Sequence, residues 1–176
     1  MKIVFGLGNP KEQYFLTRHN IGRRIIEELL NSNGWQERSG LCLVQEKGER
    51  QNKIIFVKSL LYMNESGKVA SWVLRHYKVA PEKLLVIHDD ADILFGKLKL
   101  SFGSRSAGHK GVESIIQALG TLNFWRLRIG IQPELGAGRI RAEALILKRF
   151  SRKEEEYLPE IIKKAHSTIA AWLEQS

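Results

Sequence analysis

The side chains best suited to chemistry gather near the start of the chain. Between an apolar run ending at Leu7 and a helical pattern beginning at Ile21 stand Asn9, Tyr14, Arg18, His19 and Asn20. An imidazole with an ordinary pKa of about 6.5 can take a proton from water near neutral pH. Two later segments carry complementary groups: Met63-Asn64, and His88-Asp89 with Asp90 and Asp92 close behind. A base, a carboxylate to orient it and amides to hold a carbonyl make a hydrolytic site without a nucleophilic side chain. The plainer reading of His19 is a residue that opens a surface helix.

Other chemistries fit less well. Gly6 and Gly8 begin a dinucleotide fingerprint after a strand, but its third glycine would fall at Lys11, and Pro10 interrupts the turn. The oxygens of Asp89, Asp90 and Asp92, with His88, suit a magnesium ion. In a strand, however, His88 and Asp89 point to opposite faces. His76, His109 and His166 have no evident partner and read as surface or helix residues. Cys42 is the single cysteine, so no disulfide forms within the chain, which suits a reducing cytoplasm.

The elements that must position these groups alternate between strand and helix. Lys2 to Leu7 reads as a buried strand, and Ile21, Ile25, Leu29 and Leu30 as one face of a helix stopped at Asn33-Gly34. Leu41 to Gln45 and Lys53 to Lys58 suggest a hairpin or neighbouring strands. A helix follows with Val69, Val73, Leu74 and Tyr77, for which Asn64 or Ser66 is a candidate cap. Leu84 to His88 reads as a central strand delivering the carboxylates at its end. Lys97 to Ser101 and Phe124 to Ile131 alternate as strands. Between them the glycine- and serine-rich stretch 102–108, with Arg105 and Lys110, suggests an anion nest before a helix starting near His109. Pro133 to Gly138 reads as a loop. Ser151 and Glu154 form a capping box ahead of an apolar stripe from Leu158 to Leu173, with Pro159 at a kink or in the first turn. The expected fold is α/β: one domain over residues 1–176, a mixed central sheet flanked by helices on both faces.

Charge is unevenly spread. From Lys97 to Lys153 there are twelve Lys and Arg against Glu113, Glu134 and Glu143, while the rest of the chain balances sixteen basic with sixteen acidic residues. The whole excess of +9 therefore sits in one third of the chain. Such asymmetry is the footprint of a polyanion partner, nucleic acid first among them; a solvated basic face is the bland alternative. No apolar run approaches a membrane span and no signal-peptide core is evident, so the expected location is the cytoplasm.

The motifs Asn9-Pro10, Tyr14, Thr17-Arg18-His19-Asn20 with Gly22, Tyr62-Met63-Asn64 with Ser66-Gly67, and His88-Asp89 with Asp92 follow one another in a familiar order. So do Gly108-His109 with Gly111, and Phe124 with Arg126-Leu127-Arg128-Ile129-Gly130. Over nearly its whole length the chain resembles bacterial-type peptidyl-tRNA hydrolase. The resemblance implies a monomer that cleaves the ester between a peptide and the 3′ ribose of tRNA, with no metal, other cofactor or obligate protein partner. It implies His19 as catalytic base and Asp89 as its partner. Asn9 and Asn64 would contact the peptide and the reacting carbonyl, while Tyr14 and Met63 would line the cleft. Lys99 and Arg128 would meet the tRNA, and Arg105 of the expected nest is a further candidate for it. Where the family pattern has Gly-Gly-His-Asn-Gly, this chain has Ala107-Gly108-His109-Lys110-Gly111, so a donor-only cation replaces a substrate-binding amide. Lys11, Ser59 and Ser101 also depart from the pattern. A catalytically inactive RNA-binding or splicing cofactor of the same fold is the alternative.

Overall fold

The computed structural model describes residues 1–30, 33–49, 52–133 and 140–175. The expected loop from Pro133 to Gly138 lies outside them beyond Pro133. Strand β1 (Lys2–Gly6) is apolar on both faces, with Ile3, Val4 and Phe5 fully buried. That is the signature of a strand covered from both sides. After α1 (Ile21–Leu29) come β2 (Gln36–Arg38), β3 (Cys42–Lys47) and β4 (Ile54–Ser59). Next are α2 (Ser66–Tyr77), β5 (Leu84–Leu94), β6 (Leu98–Phe102), α3 (Lys110–Leu119) and β7 (Trp125–Gln132). A short α4 (Ala142–Leu145) and the long α5 (Arg152–Glu174) close the chain.

The strands form one seven-stranded sheet in the order β2-β3-β4-β1-β5-β7-β6. The inner four run parallel; β2, β3 and β6 pair antiparallel with their neighbours. The sheet is mixed, as expected. One face is covered by α1 and α5 through Ile21, Ile25 and Ile26 and through Leu158, Ile161, Ile162 and Trp172. The other is covered by α2 and α3 through Val69, Val73, Val112 and Ile115. The capping box at Ser151 and Glu154 is present. Trp172 is buried and Trp35, Trp72 and Trp125 pack partly buried against the two clusters, as core residues rather than platforms.

Some local expectations change. Strand β5 continues through the acidic cluster to Leu94, because β7 keeps pairing with it as far as Asp90 and rejoins at Leu94. Neither Asn64 nor Ser66 caps α2: the Ser66 hydroxyl turns back to donate to the Met63 carbonyl at 2.7 Å. Pro159 lies inside α5, past its first turn. His166 does have a partner, donating from Nε2 to the Ile25 carbonyl at 2.9 Å.

Gly6 and Gly8 serve close packing of the first strand, loop and helix, not a phosphate-binding turn. A Cβ on Gly6 would strike the Gly22 carbonyl, and one on Gly22 would strike the Ile87 carbonyl. The start of α1 thus lies directly on β1 and β5, with no side chain between. Gly22→Ala is expected to destabilise the fold by about 1–3 kcal/mol through overpacking against backbone. A urea midpoint unchanged from wild type would refute this.

Candidate active site

His19 sits in a 3-10 turn at Arg18–Asn20 that leads into α1, and is 4% exposed rather than on the surface. Its turn is held from two directions. The backbone N–H of Arg18 donates to the Lys148 carbonyl at 3.0 Å, and that of His19 to the Ile146 carbonyl at 2.9 Å. The Arg18 guanidinium forks onto both oxygens of Glu154 at 2.8 and 2.7 Å and lies over the Phe150 ring at 4.8 Å. On the other side, Asn20 exchanges two hydrogen bonds of 2.9 Å with the backbone of Asn9, tying the two loops together.

Asp89 is 2% exposed on β5, beyond the last β1 residue paired to that strand. One of its oxygens, Oδ1, receives His19 Nδ1 at 2.8 Å and His109 Nε2 at 3.0 Å. His109 is therefore part of the site, contrary to its reading as a surface or helix residue. It occupies the N-cap of α3, where its Nδ1 accepts the backbone N–H groups of Gly111 and Val112 at 3.1 and 3.2 Å. Two donors at Nδ1 require a lone pair there, so the proton of the neutral ring is on Nε2, facing Asp89. His19 in turn donates from Nδ1, which leaves Nε2 as the basic nitrogen. Among the described residues Nε2 makes no hydrogen bond.

Burial opposes the charge of Asp89, but attraction to His19 and His109 and the hydrogen bonds from both hold its carboxyl well below the usual carboxylate range. His88 lies behind, its ring 4.7 Å from that of His109 and donating from Nδ1 to the Asp89 carbonyl at 2.7 Å. Burial first, then the neighbouring His109, keeps this imidazole well below its ordinary pKa. It stays neutral.

The alternative magnesium ligands, His88 with Asp89, Asp90 and Asp92, form no cluster among the described residues. Asp90 is taken by Arg128 Nε at 2.7 Å, and its other oxygen accepts the Asp92 N–H at 2.9 Å. The His19, Asp89 and His109 atoms lie within 4.8 Å of one another, a spacing a metal could use. Here their facing atoms are joined donor to acceptor. The start of α3, beside the anion nest expected at 102–108, has two of its amides occupied, since those of Gly111 and Val112 donate to His109.

The remaining candidates surround this centre to different degrees. Asn9 is buried, and its Oδ1 accepts the Met63 N–H at 2.8 Å. That bond fixes the amide, so Nδ2 is the free end. Met63 itself is 4% exposed and packs into the core, supporting Asn9 from below. Asn64 and Lys110 are exposed, and their side chains have no hydrogen bond or ion pair among the described residues. Tyr14 is half-buried and meets Tyr62 edge to face at 6.4 Å. Lys99 and Arg105 are exposed; Arg128 is mostly buried against Asp90. The geometry as a whole offers an oriented base beside a buried carboxylate, an amide donor and a basic sheet edge.

Comparison with known proteins finds the same sequence pattern and fold elsewhere. The family model for peptidyl-tRNA hydrolase matches residues 3–176. A peptidyl-tRNA hydrolase of Wolinella succinogenes is 42% identical over 180 residues, covering 99% of this chain and 88% of that one. One from Aquifex aeolicus is 40% identical over 170 residues, covering 94% and 86%. The crystal structure of peptidyl-tRNA hydrolase from Acinetobacter baumannii superposes with a TM-score of 0.82 at 29% identity, covering 97% of this chain and 87% of that one.

Proposed function

The chain belongs to the peptidyl-tRNA hydrolase family, and we propose that it cleaves the ester between peptide and tRNA with a water activated by His19. The observation that carries this reading is the 2.8 Å bond from His19 Nδ1 to the buried Asp89, which turns the basic Nε2 away from the carboxylate. Nε2 takes a proton from water as the oxygen attacks the ester carbonyl, and the Asp89 charge stabilises the imidazolium. The imidazolium then returns the proton to the departing ribose oxygen. His109, a neutral donor, holds Asp89 in place and shares its charge. Asn9 Nδ2, aimed by the Met63 contact, donates to the developing oxyanion, a contribution of about 3 kcal/mol. Asn64, Lys110 and Tyr14 line the path of the peptide and the tRNA end. An ester is already activated, so orientation and these terms suffice.

Intact partners around His19 support turnover, and the inactive RNA-binding reading is not favoured by the family relationship. The test is release of N-blocked aminoacyl groups from tRNA by purified protein; binding without release would overturn the reading. Lys99 and Arg105, with Arg128, take the phosphates of the tRNA on this reading. Lys99 is exposed and carries no ion pair among the described residues. Lys99→Ala should therefore weaken binding and lower the slope of log K against log salt by about 1. An unchanged slope would leave the basic segment as a solubility feature.

A further inference from the structure

Arg126 is physically costly where it stands. It lies in β7 at 1% exposure, so a permanently charged guanidinium is wholly inside the protein. It forms no ion pair among the described residues; Asp90, the carboxylate whose field reaches it, is engaged by Arg128. Its Nε and Nη2 find no hydrogen-bond partner among the described residues, and neither do Ser101 Oγ and His88 Nε2 nearby. Ser101 pairs with Arg126 across β6 and β7, and His88 with Arg128 across β5 and β7, so all four residues share one face. An apolar side chain of similar volume would be at least as stable there. Stability does not account for the charge.

The one side-chain hydrogen bond that Arg126 makes among the described residues does. Nη1 donates to the Arg105 carbonyl at 2.8 Å. That carbonyl belongs to the segment leaving β6 that carries His109 to Asp89. The segment has positive φ at Gly103, Ala107 and Gly108, of which Ala107 at 51° is unusual for a residue with a Cβ. Its other bonds are long or local: Gly103 N to Phe124 O at 3.4 Å, Gly108 N to Ser106 Oγ at 3.4 Å, and His109 N to Ser106 O at 3.1 Å. We propose that Arg126 is a positioning residue which, by gripping the Arg105 carbonyl from within the sheet, fixes the path of residues 103–108 and so seats His109 against Asp89 and His19.

This rests on reading His19, Asp89 and His109 as the reacting centre, so two variants are compared. Arg126→Met should stay folded, lower kcat by about 10- to 100-fold, and leave KM and the salt slope of tRNA binding unchanged. In ¹⁵N spectra His109 should lose its single-tautomer pattern, and Arg126→Lys, which can still reach one carbonyl, should restore part of both. Unchanged kcat, activity falling only in proportion to folded protein, or a raised KM with a shallower salt slope would each overturn the proposal. If Arg126→Met does not fold, the kcat and ¹⁵N pattern of Arg126→Lys decide it, wild-type values in both counting against. Full activity of His109→Ala would sink the site reading itself. Impaired His109→Ala beside unimpaired Arg126→Met would sink only the role of Arg126.

Discussion

His19→Ala is expected to slow release of N-blocked aminoacyl groups from tRNA by about 10²- to 10⁴-fold, the range for loss of a positioned general base. The effect should fall on kcat, because the imidazole works only as the carbonyl is attacked, and tRNA affinity should remain. His19 is buried in a turn fastened by Arg18, Asn20 and two backbone hydrogen bonds, none of which uses its ring. The fold should therefore survive the truncation. Single-turnover rates with saturating enzyme separate chemistry from binding. A variant that still turns over within a few-fold of wild type would mean that another group activates the water.

Asp89→Asn is expected to cost a similar 10²- to 10⁴-fold in kcat, for a different reason. Both imidazole N–H groups converge on one oxygen, Oδ1. An asparagine can place its carbonyl oxygen there and keep both contacts, so what disappears is the charge that stabilises the imidazolium. The same change carries a pH signature. The folded-state pKa of Asp89 lies below its unfolded value of about 3.9. Its contribution to stability is thus complete at pH values above that figure and is lost as the pH falls through the lower folded value. Wild type should be more stable than Asp89→Asn at pH 7, with the gap closing on acidification below about pH 4. A gap that stays constant in denaturant melts across this range would show that the carboxylate is not held in its charged form.

Legibility in the sequence followed the range of the interactions involved. The stripe and cap of α5, the strand β1 and the β3–β4 hairpin are local patterns, and each was readable. Strand β2 was not, because Gln36, Glu37 and Arg38 are polar and become a strand only by pairing with β3. The continuation of β5 past His88 was hidden for the same reason: carboxylates argue against a strand, and β7 overrides them. Within the site, His19, Asp89 and Asn9 were marked by residue type and by resemblance. His109 was missed as a participant since its partner lies twenty residues away across a loop of unusual backbone angles. One signal was available: an imidazole directly after Gly108 at a helix start, where Ser, Thr, Asp or Asn is the common choice. The charge asymmetry of the segment from Lys97 to Lys153 is plain in the sequence. Sequence could not show that Arg126 is interior and Arg128 neutralised by Asp90, which reduces the charge that segment presents.

The clasp on the His19 turn joins residues more than a hundred positions apart. Every group assigned to the chemistry lies before β7, yet the carbonyls of Ile146 and Lys148 and the carboxylate of Glu154 that hold the turn are synthesised after it. A nascent chain that has emerged only through β7 carries the base, its carboxylate and the amide without the fastening that aligns them. Competence to cut the ester thus waits on segments made after β7, and an enzyme whose substrate is a peptide on tRNA is itself made as one.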